Sequence, residues 1–270
     1  MVSAAIRPPA VAGAFYPGDA QSLADGVCRL LAGAIPEAPA PKALIVPHAG
    51  YVYSGGTAAA AYRLLRPIRS LVRRVILLGP AHRVAVRGLA VPAAAYFSTP
   101  LGAVPIDRDA LAALTDLPQV VVSDAAHAPE HSLEVQLPFL QTALADFRLV
   151  PFAVGHCSPA AVAQVLDRLW GGTETLVVVS SDLSHYLSYR EAEAIDSTTC
   201  GRILELSPDI DTQEACGAYP INGLLIAARR HGLRPSLVQR CNSGDTAGDR
   251  SRVVGYAAFA FLPDEESMHD

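Results

Sequence analysis

The chain has 270 residues, of which 51% are hydrophobic, and this is enough for one large core or two modest ones. Such a composition excludes a disordered or fibrous protein. The 21 basic and 26 acidic residues give a formal charge of −5, and the basic residues are scattered rather than gathered in a run, so nucleic acid is not an expected partner.

Short apolar, β-branched runs alternate with longer stretches of helical spacing along the chain. This order is typical of strands joined by crossover helices in a largely parallel sheet, so the sequence predicts an α/β protein. Several of the strands are apolar throughout, as strands buried on both faces should be. In chain order the predicted elements are a helix at 20–31, a strand at 43–46, a helix at 57–65, strands at 75–78 and 88–91, a helix at 133–144, a strand at 149–154, a helix at 159–170, a strand at 176–180, helices at 191–206 and 221–230, and a strand at 253–261.

Three helix starts carry a side chain that can cap them. Asp19, Ser132 and Ser158 precede helical patterns and are predicted to accept hydrogen bonds from first-turn amides. The proline-rich stretch 34–42 resembles a linker, but it joins a helix to the first core strand and does not divide the chain. We therefore expect a single domain over residues 1–270, with an acidic, frayed tail at 263–270.

The cysteines and the apolar runs indicate the compartment. Five cysteines are odd in number and widely spaced, with no C-x-x-C pair, so reduced thiols are expected. The first eleven residues contain no apolar stretch long enough for a signal peptide, and no later run reaches membrane-spanning length. We expect a soluble, cytoplasmic protein with no membrane partner.

Three of the predicted strands end in a polar turn that carries a histidine. His48 follows 43–46, His82 follows 75–78, and His185 follows 176–180. Open α/β sheets bind ligands outside the carboxyl ends of their strands, so these turns would converge on one site if the strands are neighbours. A structural role is the simpler interpretation for any one histidine, but the shared position favours a common site.

Imidazole is a common ligand of divalent transition metals, and two histidines leave a metal site incomplete. The third ligand is either Asp182, which would give the two-histidine, one-carboxylate face of non-heme iron, or a cysteine thiolate. Cys216 stands before Gly217 just ahead of a helix, where helix-end amides favour a thiolate. Cys28 and Cys200 lie inside helical patterns and are predicted core thiols. Spacing alone does not choose among these ligands.

A second cluster at 127–134 combines two histidines and two carboxylates just before an amphipathic helix. Ser132 and Glu134 at a helix start suit the helix dipole and the free amides, which is the structural interpretation. The functional interpretation directs His131 into the same cleft. The sequence supports both equally.

Hydrolase and nucleotide motifs are missing from the sequence. No G-x-S-x-G elbow, G-x-G-x-x-G loop or P-loop is present. His156 and Cys157 are adjacent on a predicted strand end and point to opposite faces, so they do not form a nucleophile–base pair.

Six sequence blocks together resemble the Memo family, also called AmmeMemoRadiSam system protein B in bacteria and archaea. They span nearly the whole chain. The family's Gly-Pro-Ser-His turn has Ala81 in place of serine here, which removes a hydroxyl that could support His82. The blocks are Arg7 with residues 10–17, residues 47–55, 79–82, 130–134 and 180–185, and Cys216-Gly217 with Pro220-Ile221.

The resemblance implies a fold and a set of site residues. The fold would be a three-layer α/β/α sandwich around a mixed, largely parallel sheet, as in class III extradiol dioxygenases. One divalent metal ion, iron(II) in preference to copper or zinc, would be held by three ligands. Four further residues would line the cleft as catalytic candidates. The implied metal ligands are His48, His82 and Cys216, and the catalytic candidates are His185, Asp182, His131 and Glu130.

The resemblance also leaves the activity open between different classes. One expectation is iron-dependent, dioxygenase-like redox chemistry on a small molecule, with His185 moving a proton and Asp182 tuning its pKa. The opposing expectation is a module that binds peptides in the same cleft without turnover. A third is that the protein assists radical-SAM and AMMECR-type partners.

Overall fold

The computed structural model describes residues 5–33 and 39–264, and the elements below belong to these residues. The strands are β1 (Ile6–Arg7), β2 (Ala43–Val46), β3 (Arg74–Pro80), β4 (Leu89–Val91), β5 (Tyr96–Thr99), β6 (Gly102–Pro105), β7 (Val120–Val122), β8 (Arg148–Val154), β9 (Thr175–Ser180), β10 (His185–Leu187), β11 (Leu233–Asn242) and β12 (Val253–Pro263). The α-helices are α1 (Ala20–Leu31), α2 (Tyr51–Tyr62), α3 (Arg108–Ala112), α4 (Asp124–His127), α5 (Leu137–Ala143), α6 (Pro159–Leu169), α7 (Tyr189–Leu204) and α8 (Ala218–Arg230).

The main sheet has nine strands and is mixed, as predicted. Strands β2, β9, β3 and β8 lie side by side and parallel at its centre. On one side of this centre, β12 pairs antiparallel with β2, and it also pairs with β10 and β11. On the other side, β4 pairs with β8 and β7 pairs with β4. A second sheet of three strands has the order β1-β5-β6. Because these four central strands are parallel, their carboxyl ends lie at the same end of the sheet.

Alternate residues of the central strands enter two different cores. Val75 and Leu77 of β3 pack on one face of the sheet with α1, α2 and α5, whereas Ile76 and Leu78 pack on the other with α6, α7 and α8. Both faces of β3 are covered, and the strand is apolar from Val75 onwards, after Arg74 at its start. Each such buried side chain contributes about 1.5–3 kcal/mol. The helices therefore form layers on both sides of the sheet.

Several elements differ from the prediction in extent or type. The predicted helices 20–31 and 159–170 form with nearly the same bounds. The predicted helix at 57–65 begins earlier, at Tyr51, and after Tyr62 it continues as a 3-10 helix, Arg63–Ile68. The predicted helix at 133–144 is a 3-10 turn, Glu134–Gln136, followed by α5. Strands β1, β5, β6, β7, β10 and β11 were not predicted.

Two of the three predicted caps form. The side chains of Asp19 and Ser158 accept hydrogen bonds from Ser22 N (2.8 Å) and Ala161 N (3.3 Å). The prediction for Ser132 is wrong, because its Oγ donates to Pro80 O at 2.9 Å instead of accepting from a helix amide. Ser132 thus ties the segment before α5 to the end of β3.

Two predictions concern residues that the structure does not describe. Residues 34–38 of the predicted linker and 265–270 of the predicted tail lie outside the described ranges. Among the helices that are described, none has the length and apolar character needed to cross a membrane.

Candidate metal centre

The carboxyl ends of three neighbouring strands carry the predicted site residues. His48 follows β2, Asp182 follows β9 and His82 follows β3, in the order β2-β9-β3 across the sheet. The rings of His48 and His82 lie 5.2 Å apart, centroid to centroid, and nearly perpendicular. The two histidines therefore meet outside the carboxyl ends of the parallel strands, where open α/β sheets bind ligands.

His131 joins this pair from a distant part of the chain. Its ring lies 4.8 Å from that of His82 and 5.4 Å from that of His48, centroid to centroid. One ligand atom from each of the three residues lies within 4.8 Å of the others, and no other such group of three appears among the described residues. Sequence reasoning placed His131 in the cleft but missed it as a possible metal ligand.

Hydrogen bonds fix the His48 ring with one nitrogen facing the protein. Ser180 Oγ donates its single proton to Ser132 O at 2.6 Å and accepts from Gln136 Nε2 at 2.8 Å. His48 Nδ1, 2.9 Å from Ser180 Oγ, must therefore be the protonated nitrogen that donates. This tautomer leaves a lone pair on Nε2, the atom available to a metal ion.

Glu130 fixes the ring of His82. Its Oε1 lies 2.9 Å from His82 Nδ1, and its Oε2 accepts from His82 N at 2.6 Å. Oε1 also accepts from the backbone amides of His131 and Ser132, each at 3.0 Å. Burial raises the pKa of Glu130, but the hydrogen bonds from His82 and the amides outweigh it and lower the pKa to about 2. Glu130 is thus an ionised carboxylate, 1% exposed, that orients a ligand ring from beneath the cleft.

Burial favours the neutral, metal-binding form of two of the three rings. Burial lowers the pKa of His48 well below its usual 6.5, and the neighbouring His82 and His131 lower it further. Burial also lowers the pKa of His131 to about 4, against the opposing charge of Glu130. His131 Nδ1 is buried, forms no hydrogen bond with the described residues, and lies 3.4 Å from Glu130 Oε1. Two imidazoles held neutral, grouped with His82, fit a divalent cation.

Asp182 supports the His48 turn rather than His185. Its Oδ1 accepts a hydrogen bond from His48 N at 2.8 Å, and burial raises its pKa to about 7. Within the described residues no hydrogen bond joins Asp182 to His185, so the predicted tuning of His185 by direct hydrogen bonding is wrong. The buried carboxylate is already occupied by the backbone that presents His48.

Cys216 also lies against the ring of His48. Its Sγ is 3.4 Å from His48 Nε2 and accepts from Asp182 N at 3.3 Å. The thiol can come this close because a side chain at Gly217 would meet Ser181 Cβ at 2.6 Å. Burial, with a contribution from Asp182, raises the pKa of Cys216 to about 12. The predicted effect of helix-end amides is therefore outweighed, and only a neighbouring cation would make the thiolate favourable.

His185 stands in the wall of the same cleft. It begins β10, which pairs with β12, and burial lowers its pKa despite a hydrogen bond with the Leu183 backbone. The cleft has a volume of about 430 Å³ and is open to solvent. Aromatic side chains and one cation complete its lining, namely Phe15, Tyr53, Arg83, Tyr186 and Tyr256.

A buried network attaches the N-terminal segment to the site, and sequence reasoning missed it. Arg7 Nη1 and Tyr16 Oη both lie 2.5 Å from carboxylate oxygens of the fully buried Glu134. The ring of Phe15 then packs 4.8 Å from that of His131. The sequence did contain a signal for this network, because Arg7 and residues 10–17 form the first resemblance block. These residues lie outside every predicted core strand, so nothing in the sequence connected them to the site.

Comparison with known proteins assigns the family. The family model described as "Memo-like protein" matches residues 7–260. The chain belongs to the Memo family. MEMO1 family proteins of Ignicoccus hospitalis and Aquifex aeolicus are each 36% identical to it, over 95% of this chain and 98% and 99% of their own length. That of Aeropyrum pernix is 37% identical over 94% of this chain and 98% of its own.

A solved structure shares the fold at low sequence identity. The uncharacterized protein JW3007 of Escherichia coli K12 superimposes with a TM-score of 0.53 and 14% identity, covering 80% of this chain and 98% of that one. This similarity supports the mixed α/β architecture and carries no statement about activity.

The one departure from the Memo family's pattern has a local explanation. Ala81 N donates to Val154 O, so residue 81 acts through its backbone. The support of His82 comes from Glu130, and Ser132 Oγ secures Pro80 O just before it. A hydroxyl at position 81 is therefore not needed to orient the His82 ring in this Memo-family chain.

Proposed function

We propose that the cleft holds one divalent metal ion, iron(II), and performs metal-dependent redox chemistry on a small molecule, akin to that of class III extradiol dioxygenases. The observation that carries this proposal is the convergence of His48, His82 and His131 with the first two rings fixed through Nδ1. Bound iron(II) would supply redox chemistry and open coordination positions, which imidazole-rich sites permit.

We propose Cys216 as the third ligand beside His48 and His82, as the family resemblance implies. Two ligand atoms bound to one ion at 2.0–2.3 Å lie about 3.5 Å apart. The 3.4 Å between Cys216 Sγ and His48 Nε2 matches this separation. His131 is the alternative third ligand, because it forms a group within 4.8 Å with His48 and His82. Copper or zinc would also accept two nitrogens and a sulfur, so cellular supply decides the metal.

In this proposal His185 moves a proton to or from the substrate. It lines the cleft, and burial favours its neutral form, which can act as a base. His185→Ala should keep the metal content of the wild type and lose turnover. Unchanged turnover in His185→Ala would remove His185 from the mechanism.

A binding cleft without turnover is the second candidate, because aromatic side chains remain exposed at its rim. Tyr186 is 64% exposed and Tyr53 is 38% exposed, which gives an extended ligand such as a peptide a surface to contact.

Assistance to radical-SAM and AMMECR-type proteins stays a prediction, which the neighbouring genes would test.

Metal content decides between these candidates. Protein purified without added metal and without oxygen should contain nearly stoichiometric iron, which His48→Ala, His82→Ala and Cys216→Ser should lose. His131→Ala tests the alternative third ligand. Cys28→Ser is the matched control, because the prediction of Cys28 as a core thiol is wrong and its thiol is exposed on α1. Metal-dependent oxygen uptake would support the enzyme. Peptide binding that survives complete metal removal would support the binding module and contradict the enzyme proposal.

We also place the protein in the cytoplasm. All five cysteines are free thiols in the structure, two of them buried. Unpaired thiols persist where glutathione and thioredoxin keep them reduced.

A further inference from the structure

Three arginines line one side of a hollow that is separate from the metal cleft. Arg63 begins the 3-10 helix Arg63–Ile68, and Arg66 and Arg69 follow at intervals of three residues. A 3-10 helix has 3.0 residues per turn, so residues three apart lie directly above one another, about 6 Å apart along the axis. The three side chains therefore leave the helix on one face and border a hollow of about 210 Å³.

The scaffold of this hollow is rigid and distinct from the cleft. Leu64 and Leu65 of the same 3-10 helix are 7% and 0% exposed and anchor it in the core. The opposite wall comes from Leu31 at the end of α1 and Thr142 in α5. None of the side chains that line the hollow also lines the metal cleft.

Most of the guanidinium donors in the hollow are unused. Arg63 Nε donates to Ala59 O at 3.3 Å and Arg66 Nη2 to Leu31 O at 3.2 Å. Arg69 forms no side-chain hydrogen bond with the described residues, and none of the three has a carboxylate oxygen within 4.0 Å in that part of the chain. Each guanidinium offers five N–H donors, so these three neighbouring cations have no counter-charge among residues 5–33 and 39–264.

We propose that this hollow binds a small soluble anion that carries at least two linked phosphate groups. Guanidinium groups pair with phosphate oxygens through two parallel hydrogen bonds, and these charge-assisted bonds are roughly twice as strong as neutral ones. A stack of three arginines on one helix face matches a chain of phosphates better than a single one. Its concave shape and small volume favour a small ligand over a flat macromolecular surface.

Arg69 provides the sharpest test because its side chain forms no hydrogen bond within the described part of the chain. Titration calorimetry with inorganic pyrophosphate at low salt should show one site on the wild type. Arg69→Gln should weaken binding about tenfold, as the loss of one charge-assisted contact does, and the triple change of Arg63, Arg66 and Arg69 to Gln should abolish it. The unfolding temperature of Arg69→Gln without ligand should equal that of the wild type.

Arg190→Gln is the matched control. Arg190 is an exposed arginine of α7 without an ion pair among the described residues, so its loss should leave pyrophosphate binding unchanged. His82→Ala should also bind pyrophosphate normally, because the hollow is separate from the metal centre. Binding lost in His82→Ala and kept in Arg69→Gln would place the anion at the metal and overturn the proposal.

Three further results would overturn it. One is the absence of pyrophosphate binding to the wild type, and another is an Arg190→Gln variant that binds as weakly as Arg69→Gln. The third is citrate, a carboxylate anion of comparable charge, binding as tightly as pyrophosphate, which would refute the preference for phosphate. None of these results depends on whether the cleft contains iron.

Discussion

Replacing Glu130 by glutamine should weaken metal binding without unfolding the protein. The substitution keeps the size of the side chain but removes the negative charge that faces His82 Nδ1 at 2.9 Å and His82 N at 2.6 Å. The carboxylate accepts from four donors in all, and an amide has only one oxygen. At least one N–H group must then face the NH₂ group of the new side chain, and the His82 ring loses its fixed orientation.

The expected size of the effect follows from the contact that is lost. A hydrogen bond to a charged group contributes about 1.5–3 kcal/mol, and loss of the group that orients a metal-binding histidine typically lowers metal affinity about 10–100-fold. These two ranges agree, because a tenfold change corresponds to about 1.4 kcal/mol. We therefore expect Glu130→Gln to raise the Kd for the metal by about one to two orders of magnitude.

Competition with a coloured chelator under anaerobic conditions measures this Kd directly. Glu193→Gln is the control, since Glu193 pairs with Arg240 near the surface and contacts no ligand histidine. Circular dichroism at the assay temperature should show both variants folded. If Glu130→Gln binds metal within about twofold of the wild type, the carboxylate does not orient His82, and our account of the site is wrong.

Three other substitutions test separate parts of the same structure. Ser180→Ala removes the acceptor of His48 Nδ1 and should weaken metal binding about tenfold in the chelator assay, and an unchanged Kd would contradict the assigned tautomer. Glu134→Ala leaves Arg7 buried without its partner and should lower the free energy of unfolding by about 3–5 kcal/mol in urea, so a loss below about 1 kcal/mol would refute that role. Burial lowers the pKa of His127 from 6.5 to about 4. Between these two pH values the folded residue stays neutral while the unfolded residue gains a proton, so stability is lost as the pH falls from 6.5 towards 4. His127→Gln should remove about 2 kcal/mol of that loss in unfolding experiments at pH 7 and 4.5, and an identical acid dependence would show that His127 is not the group responsible.

The sequence predicts the centre of the sheet and two of the converging histidines because these features are encoded locally. A fully apolar run such as Leu44 to Val46 must be buried on both faces, and the residues that follow it must lie at a strand end. The exposed pattern of β11, which contains Pro235 at an outer strand, gives no such signal, and the pairing with β12 that creates it is not visible locally.

His131 could not be assigned as a possible ligand for a related reason. Its position is set by contacts between segments more than a hundred residues apart, such as Arg7 with Glu134. Local spacing at 127–134 is equally typical of a helix start, and the helix that follows is in fact irregular at its beginning. Only the folded arrangement shows that Glu130 faces away from the cleft while His131 faces into it.

The buried Arg7–Glu134 ion pair is better explained by positioning than by stability. Removing two charges from water costs several kcal/mol per ion, and buried ion pairs are often replaceable by apolar side chains with no loss of stability. Here the pair does what apolar packing cannot, because Glu134 also accepts hydrogen bonds from Ala10 N, Val11 N and Tyr16 Oη. These bonds fix the backbone path that brings the Phe15 ring against that of His131. A hydrophobic replacement would bury the same area but would leave those donors unsatisfied and the segment free to shift. The N-terminal segment is therefore part of the candidate metal centre, since it determines where the third imidazole lies.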